Sequence, residues 1–339
     1  MRALVVTEPG GAQLREWPNP NEVAGEVGIE PLVVGLCGTD LELVDGTIDA
    51  TYVRYPLILG HEWVGRLERD TPGVGPRGAR VVVEGIVPCG VCAACLRGAT
   101  NVCAVYDEIG FTRPGAAAQR ISVPERLVHA LDERVDSNDA VFVEPMAVVW
   151  RALTRVALRP GLRVAIVGDG TIALLAAHLV RLFKPHSTTV FARRSQQRDL
   201  ALRAGADVFE VTAPFGEFDL IIEASGSLEG VSSAIDHCAR SGMIIALGLP
   251  PHGTTVDFAP DDLVNNDVIL QGSFAYTREA FTEVVRRVNS LELRPSFLIT
   301  HRYPMVEAPS ALSSLRVVSN TEPRGKVIIT NISPDAPLY

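Results

Sequence analysis

The chain has 339 residues and a net charge of −9, with 47% hydrophobic and 21% charged residues. This length and composition predict about two soluble globular domains with a sizeable core. The negative charge argues against nucleic acid as a partner, because phosphate would be repelled. The apolar runs are too short for a membrane span, and the N-terminal one is too short for a signal peptide. We therefore expect a cytoplasmic protein.

The first 36 residues consist of short apolar runs interrupted by proline and glycine. Short strands with frequent turns are typical of a β-rich, barrel-like unit. We therefore predict that the chain begins with such a unit.

Four of the six cysteines lie within fifteen positions, at the spacing C-x2-C-x2-C-x7-C. Four thiolates complete the tetrahedron of a structural zinc ion. The alternatives are a disulfide pair or buried thiols that happen to cluster, but cytoplasmic thiols bind metal more often than they pair. The spacing therefore predicts a structural zinc site at Cys89, Cys92, Cys95 and Cys103.

Three further residues of types that bind zinc follow apolar runs in separate segments: Cys37, His61 and Glu144. Each has an ordinary interpretation, as a buried thiol, a surface histidine, or a glutamate that ends a segment before Pro145. Three protein ligands and one open position are typical of a catalytic zinc site. Together the three residues predict such a site.

A strand, a glycine-containing turn and a helix are predicted over residues 163–183, and the turn has the form G-x-G-x-x-A. In a dinucleotide-binding turn Gly168 makes the tight bend, Gly170 lets the backbone approach the pyrophosphate, and Ala173 allows close helix packing. The free N–H groups of the helix N-terminus face the phosphate. The alternative is an ordinary strand–helix turn in another α/β domain. The predicted pyrophosphate-binding residues are Gly168, Gly170, Thr171 and Ile172.

Arg193, Arg194 and Ser195 follow the next predicted strand, where an NAD-binding fold would have an acidic residue. Arginine binds phosphate through paired hydrogen bonds, and an acid would repel it. The three residues therefore predict binding of the ribose 2′-phosphate and a preference for NADP, with NAD possible. The alternative is that the two arginines are a solvated helix start.

Strands and helices continue to alternate up to the C-terminus, which favours a doubly wound parallel sheet. Predicted helices cover residues 196–204, 228–239 and 281–288, and predicted strands cover 188–192, 218–223, 243–248, 268–274 and 326–330.

The chain resembles the zinc-dependent medium-chain dehydrogenase/reductase superfamily over almost its whole length, and is most similar to its sorbitol, threonine and glucose dehydrogenase branches. The resemblance implies an α/β fold, in which residues 1–146 and 280–339 form a GroES-like β-rich catalytic domain and residues 147–279 an inserted Rossmann domain. The matching motifs are Cys37-Gly38-Thr39-Asp40, Gly60-His61-Glu62, the four-cysteine segment, Glu144-Pro145 and Gly168-Asp169-Gly170.

The resemblance also implies two zinc ions per chain and roles for residues near Cys37. Cys37, His61 and Glu144 would surround the catalytic zinc, and Glu62 would lie beside it, sometimes as a ligand in place of water. Two other residues support the reaction: Thr39 would pass on the substrate proton, and Asp40 would bond to His61.

By the same resemblance we expect a homodimer or homotetramer, joined near the strand predicted at 268–274. The chain departs from the family pattern in two places. Glu42 replaces a relay histidine, which puts the outer end of the proton relay in doubt, and Ala275 replaces a basic substrate contact, which disfavours sorbitol as the substrate.

We therefore predict a zinc-dependent oxidoreductase, preferring NADP, that acts on a secondary alcohol of a sugar, polyol or cyclitol. An amino alcohol of the threonine type is the nearest alternative. A non-catalytic NADP-binding protein and a zinc-free quinone reductase are disfavoured by the intact ligand set. The carboxylates that could hold substrate hydroxyls are Glu42, Asp45, Glu62 and Glu108. The alternative for Asp45 and Glu108 is that they are surface charges.

Overall fold

The computed structural model describes residues 1–213, 215–316, 321–330 and 332. Within these residues there are sixteen strands and ten α-helices, numbered in chain order. The strands β1–β16 are Arg2–Val6, Gln13–Glu16, Glu26–Leu36, Leu57–Ile58, Glu62–Leu67, Arg80–Val83, Ile121–Pro124, Val128–Ala130, Arg163–Val167, Ser187–Phe191, Val208–Glu210, Phe218–Glu223, Cys238–Ala246, Ile269–Gly272, Ile299–Pro304 and Lys326–Thr330. The helices α1–α10 are Gly38–Asp45, Ala93–Leu96, Ser137–Ala140, Val143–Leu153, Thr171–Val180, Arg198–Ala204, Leu228–Asp236, Pro260–Asn265, Arg278–Asn289 and Ala308–Arg316.

The chain divides into two compact units. The first comprises Met1–Glu144 and most of the chain from Thr277 on. The second comprises Pro145–Tyr276 and a short segment that ends at Gly325. The boundary before Pro145 falls inside α4.

The first unit is built on a seven-stranded sheet in the order β15-β16-β3-β5-β6-β8, with β7 also paired to β3. A three-stranded sheet, β2-β1-β4, accompanies it. The eleven-residue strand β3 alternates buried and half-buried positions over most of its length, as a strand with one face on a core does. Its buried face joins a core that includes Leu4, Trp63 and Val327. This unit has the predicted β-rich character.

The second unit contains a six-stranded sheet in the order β11-β10-β9-β12-β13-β14, and every pair in it is parallel. The order runs outward in both directions from β9, which is the arrangement of a dinucleotide-binding Rossmann fold. Residues 164–167 of β9 and 220–222 of β12 are apolar and buried, as in strands covered on both faces. The predicted doubly wound parallel sheet is therefore confirmed.

The helix predicted over residues 281–288 begins three residues earlier, at Arg278, and two predicted boundaries near residue 238 were also wrong. The helix predicted over residues 228–239 ends at Asp236, because the carbonyl of His237 accepts a hydrogen bond from Phe218 N at 3.1 Å and starts the pairing of β12 with β13. Strand β13 consequently begins at Cys238, five residues before the predicted start.

None of the helices in the described residues is both long and apolar enough to span a membrane.

Candidate functional site

Strand register brings together residues that are far apart in the sequence. In β3, Gly35 pairs with Glu62 of β5, and Leu36 pairs with Val327 of β16. The end of β3 therefore lies beside the start of both neighbouring strands. Cys37 follows Leu36 directly, so its side chain is placed close to His61, Glu62 and Lys326.

Cys37 is also the N-cap of α1. Its N–H group donates to Asp40 Oδ2 at 2.8 Å, which holds the first turn of the helix against the end of β3. The Cys37 thiol lies 3.7 Å from Thr39 Oγ1, within reach of a weak S–H···O hydrogen bond. The predicted relay hydroxyl is therefore next to the predicted ligand thiol.

Cys37, His61 and Glu62 each present a ligand atom within 4.8 Å of those of the other two. His61 and Glu62 are buried, whereas Cys37 is half-buried and therefore partly exposed to solvent. Such a donor set of sulfur, nitrogen and carboxylate oxygen suits Zn²⁺.

Asp40 and His61 face each other without a hydrogen bond. Asp40 Oδ1 lies 3.6 Å from His61 Nδ1, and both atoms are buried and lack a hydrogen-bond partner. Buried polar atoms without partners are rare, and a histidine that binds a metal usually has a carboxylate at its other nitrogen. These atoms therefore fit a site completed by a metal ion.

Glu144 lies in the first turn of α4, half-buried, and interacts electrostatically with Glu62 and His61. Its carboxylate oxygens do not lie within 4.8 Å of the ligand atoms of all three residues Cys37, His61 and Glu62. Desolvation, and then repulsion from Glu62, raises the pKa of Glu144 to about 8. A cation in the group would remove this repulsion.

Lys326 was not predicted as a site residue. Its side chain is 1% exposed, and its ammonium group forms a buried ion pair with Glu62 and donates to the carbonyl oxygen of Leu36 at 3.3 Å. Desolvation alone would lower the pKa of Lys326, but the attraction of Glu62 and Cys37 raises it, so the ammonium form is retained. A lysine at the start of an otherwise apolar strand was the signal available in the sequence.

The four-cysteine group of Cys89, Cys92, Cys95 and Cys103 is assembled as predicted. Its sulfur atoms all lie within 4.8 Å of one another, with Cys89–Cys95 at 4.0 Å and Cys92–Cys103 at 3.9 Å. Sulfurs bound to one tetrahedral zinc at ~2.3 Å would be about 3.8 Å apart. Every cysteine of the chain is a free thiol, so the disulfide alternative is excluded in this structure.

Backbone N–H groups point at these sulfurs, as in a loop that wraps an ion. Hydrogen bonds from Ala104 N and Cys95 N lower the pKa of Cys92 to about 6. Desolvation, and thiol hydrogen bonds to Cys92 and Cys103, raise the pKa of Cys95 to about 12. The Cys95 thiol is therefore protonated near neutral pH without a cation, and Zn²⁺ would supply the charge that favours its thiolate.

The turn after β9 has the geometry expected of a phosphate-binding turn. Gly168 has φ +126°, and a Cβ there would lie 2.9 Å from the backbone of Ala224. A Cβ at Gly170 would meet no atom within 4 Å, so the space beside it is open. Gly170 is the N-cap of α5, whose first N–H groups, from Thr171 and Ile172 on, have no intrahelical partners. Ala173 is fully buried, as close helix packing requires.

The three residues after β10 differ from one another in their surroundings. Arg193 and Ser195 are exposed, whereas Arg194 is half-buried and its guanidinium donates to Asp169 Oδ1 from Nη2 at 2.6 Å and from Nε at 3.1 Å. The alternative of a solvated helix start therefore does not describe Arg194, whose guanidinium is engaged by Asp169.

The predicted substrate carboxylates also differ. Asp45 is ion-paired with Arg316 at 2.5 Å on the surface, which is the surface-charge interpretation. Glu42 is exposed. Glu108 is buried, accepts a hydrogen bond from the Tyr106 hydroxyl and interacts electrostatically with His61. Of these three, Glu108 lies near the metal-ligand group.

Comparisons with known proteins agree with this geometry. Residues 23–133 match the alcohol dehydrogenase GroES-like domain, and residues 137–316 match the glucose dehydrogenase C-terminus. The chain is 31% identical to an L-threonine 3-dehydrogenase of Saccharopolyspora erythraea, over 93% of this chain and 96% of the relative. It is 27% identical to the L-galactonate-5-dehydrogenase of Escherichia coli, over 97% of this chain and 99% of the relative.

Among solved structures, the chain is similar to a zinc-binding dehydrogenase from Sinorhizobium meliloti bound to NADP. The TM-score is 0.89 at 25% identity, over 97% of this chain and 98% of the other. The second family match alone covers more than half of the chain. The chain therefore belongs to the zinc-dependent medium-chain dehydrogenase/reductase superfamily and is an NAD(P)-dependent alcohol dehydrogenase of that superfamily.

Proposed function

We propose that the protein interconverts a secondary alcohol of a sugar, polyol or cyclitol and its ketone or lactone, with NADP as the preferred cofactor. The observation that carries the proposal is the group of Cys37, His61 and Glu62. The Thr39 hydroxyl lies 3.7 Å from the Cys37 thiol, and Glu108 and Glu144 both interact electrostatically with His61. In this proposal the first unit is the catalytic domain and the second binds the cofactor.

The catalytic zinc would be held by Cys37, His61 and Glu144. Glu62 would lie beside it and sometimes replace water as a ligand. When bound, zinc supplies Lewis-acid polarisation of the substrate oxygen, which lowers the pKa of the alcohol. Thr39 would accept the alcohol proton at Oγ1, close to Cys37, and pass its own hydroxyl proton outward, so that the threonine stays neutral. Asp40 orients His61 from its buried position behind the ring. Lys326 holds Glu62 in place through the buried ion pair.

Glu108 supports a polyhydroxy substrate. Its carboxylate is buried, and the Tyr106 hydroxyl, which donates to it, fixes its orientation. A carboxylate accepts hydrogen bonds from vicinal hydroxyls, and the L-galactonate-5-dehydrogenase relative is named for such a substrate. An ammonium group is the other ligand that suits this carboxylate, and the threonine dehydrogenase relative makes an amino alcohol the second candidate.

The decisive experiment compares turnover of zinc-loaded protein on aldoses, polyols, cyclitols and amino alcohols, each with NADP and with NAD. A matched variant, Glu108→Gln, separates the two substrate classes. The amide still accepts a hydrogen bond from a hydroxyl, so KM for a polyol should rise only a few-fold. It cannot pair with an ammonium, so KM for an amino alcohol should rise about 10-fold or more. Turnover of amino alcohols alone would contradict the polyhydroxy proposal.

The preference for NADP is supported by Arg193 and Ser195, both exposed at the carboxyl end of β10, where a ribose-binding acid would otherwise follow the strand. A 2′-phosphate there would accept hydrogen bonds from the guanidinium and the hydroxyl. Tighter binding of NADH than of NADPH would contradict this part of the proposal.

We also propose a second zinc ion in the four-cysteine group, where it stabilises the fold and takes no part in the reaction. The four sulfurs leave no ligand position open. Metal analysis of the purified protein should therefore find two zinc ions per chain.

Self-association is proposed at β14, the edge strand of the six-stranded sheet. Ile269 is 50% and Leu270 40% exposed on this strand, and Val264 and Phe274 nearby are also exposed. An exposed apolar edge strand is prone to pair with another chain. Leu270→Lys should lower the mass in analytical ultracentrifugation. Val208→Lys, on the opposite edge strand β11, is the matched control and should not.

A further inference from the structure

Asp169, the middle residue of the phosphate-binding turn, is buried among hydrogen-bond donors from the next strand–helix connection. Its Oδ2 accepts from the backbone N–H groups of Arg193 at 3.2 Å and Arg194 at 3.1 Å. Its Oδ1 accepts from the Arg194 guanidinium at 2.6 and 3.1 Å. Both carboxylate oxygens are therefore occupied, and the side chain is only 10% exposed.

The backbone of Asp169 is held as well. Its carbonyl oxygen accepts from Arg194 Nη2 at 3.2 Å and from Gln197 Nε2 at 2.6 Å. Gln197 is completely buried and also exchanges two hydrogen bonds of 2.9 Å with the backbone of Arg324. The turn after β9, the end of β10 and the segment at Arg324 thus form one connected network.

Arg194 is committed to this network. Its side chain is 17% exposed, and Nε and Nη2 both donate to Asp169. Turning the guanidinium toward a phosphate would leave a buried carboxylate without its counter-charge, which is unfavourable. Arg193 differs, because it is exposed and, in the described part of the chain, no hydrogen bond or ion pair engages its side chain. Two adjacent residues of the same type are therefore in opposite situations.

We infer that Arg194 and Asp169 are a positioning pair that serves NADP and NAD alike, and that only Arg193 of the two arginines determines selectivity for the 2′-phosphate. The inference rests on the proposed preference for NADP and refines it. The pair ties the turn that receives the pyrophosphate to the loop that receives the adenine ribose. Both cofactors carry these two groups, so both depend on that tie. Only NADP carries the phosphate that Arg193 can bind.

The test measures equilibrium binding of NADPH and of NADH by nicotinamide fluorescence, which requires no turnover. Arg193→Gln should weaken NADPH binding by about 10- to 100-fold, the usual effect of losing a charge-assisted contact, and leave NADH binding unchanged within about twofold. Arg194→Gln should weaken both by similar factors, so that the ratio of the two dissociation constants changes by less than about threefold.

Asp169→Asn tests the other half of the pair. It should reproduce the loss seen with Arg194→Gln, and the double variant should be no worse than the weaker-binding single variant, because the two side chains act as one unit. Arg194→Lys retains a charge for Asp169 and should recover part of the loss for both cofactors. It also serves as the folded reference if Arg194→Gln melts at a lower temperature.

Two results would overturn the inference: selective loss of NADPH binding in Arg194→Gln, or additive losses in the double variant. Failure of the proposed NADP preference looks different. In that case the wild-type protein binds NADH more tightly than NADPH, and Arg193→Gln changes neither dissociation constant, which refutes the role of Arg193. Equal, non-additive losses in the Arg194 and Asp169 variants would still establish the positioning pair.

Discussion

The two units hold their functional residues in different ways. In the first, Cys37, Glu62 and Lys326 come from distant segments and meet only through strand register. In the second, the residues assigned to the cofactor all lie between Gly168 and Ser195, in one strand–turn–helix–strand succession. The first arrangement brings charged side chains together in a buried site, and the second presents backbone N–H groups and the exposed Arg193 at the carboxyl end of a sheet. A buried cluster of charged side chains suits a catalytic site. A row of N–H groups along one sheet edge suits a long, charged cofactor.

Buried ionisable groups are accommodated in two ways. In the first unit Glu62 and Lys326 are both buried and neutralise each other. In the second, His178 of α5 is 5% exposed, and desolvation, together with the nearby charge of Arg181, lowers its pKa to about 4. The first unit stabilises these two buried charges by pairing them, as Asp169 and Arg194 do in the second unit, whereas the buried base His178 is kept neutral. Four predictions test this contrast, beginning with the largest effect.

Replacing Cys37 by Ser should remove most of the catalytic turnover, which depends on the first unit, and should leave cofactor binding by the second unit unchanged. We expect turnover to fall by about 1000-fold, equivalent to about 4 kcal/mol of activation free energy, because the metal-ligand group loses its thiolate. NADPH binding, measured by fluorescence, should stay within about twofold of wild type. Cys238→Ser, the cysteine outside both groups, is the control. Unchanged turnover in Cys37→Ser would refute the zinc mechanism.

Lys326→Met should destabilise the first unit by about 3–5 kcal/mol, because it leaves the Glu62 carboxylate buried without a counter-charge. The measurement is urea unfolding followed by tryptophan fluorescence. Adding Glu62→Gln should restore part of the loss, since the remaining partner is then neutral. Lys184, the other lysine of the chain, is exposed, and Lys184→Met should change the free energy of unfolding by less than about 0.5 kcal/mol. Equal effects of the two lysine substitutions would show that the ion pair contributes nothing.

Acidification should destabilise the second unit through His178. The pKa of His178 is about 4 in the folded protein and near 6.5 in the unfolded chain. Between pH 4 and pH 6.5 the unfolded chain therefore binds more protons than the folded protein. Stability therefore falls as the pH drops below about 6.5, by about 2 kcal/mol between pH 7.5 and pH 5. His178→Gln should remove that part of the pH dependence. Parallel pH profiles of unfolding for the variant and wild type would contradict the prediction.

Cys92→Ser should have the smallest effect on turnover. It should lower the zinc content from two ions per chain to one and reduce the melting temperature, because a structural ion stabilises only the folded loop. Turnover at low temperature should stay within a few-fold of wild type. A loss of turnover as large as that of Cys37→Ser would show that the four-cysteine group is coupled to the reaction.

The sequence predicted what is encoded locally. The four-cysteine spacing and the glycine turn each lie within a short stretch, and backbone geometry follows directly from spacing and residue type. Strand–helix alternation likewise predicted the parallel sheet. The partnership of Glu62 with Lys326 was not predicted, because 264 positions separate them and only the register of β16 on β3 brings them together.

The asymmetry of Arg193 and Arg194 was missed for a related reason. The two residues are equivalent in a sequence pattern, and only the folded turn places the carboxylate of Asp169 under one of them. The start of β13 was missed because the residues at 237–239 do not have an alternating pattern, and their extended form is imposed by pairing with β12.

The position of Lys326 near the C-terminus has a consequence for biosynthesis. Cys37, His61, Glu62 and Glu144 leave the ribosome in the first half of the chain, and their lysine follows 182 residues after Glu144. At about 5–20 residues per second, synthesis of that interval takes roughly 10–40 s. For that time the nascent first unit carries its carboxylates without the ammonium group that neutralises one of them. Completion of the chain, and not folding of the early strands alone, supplies the counter-charge of Glu62.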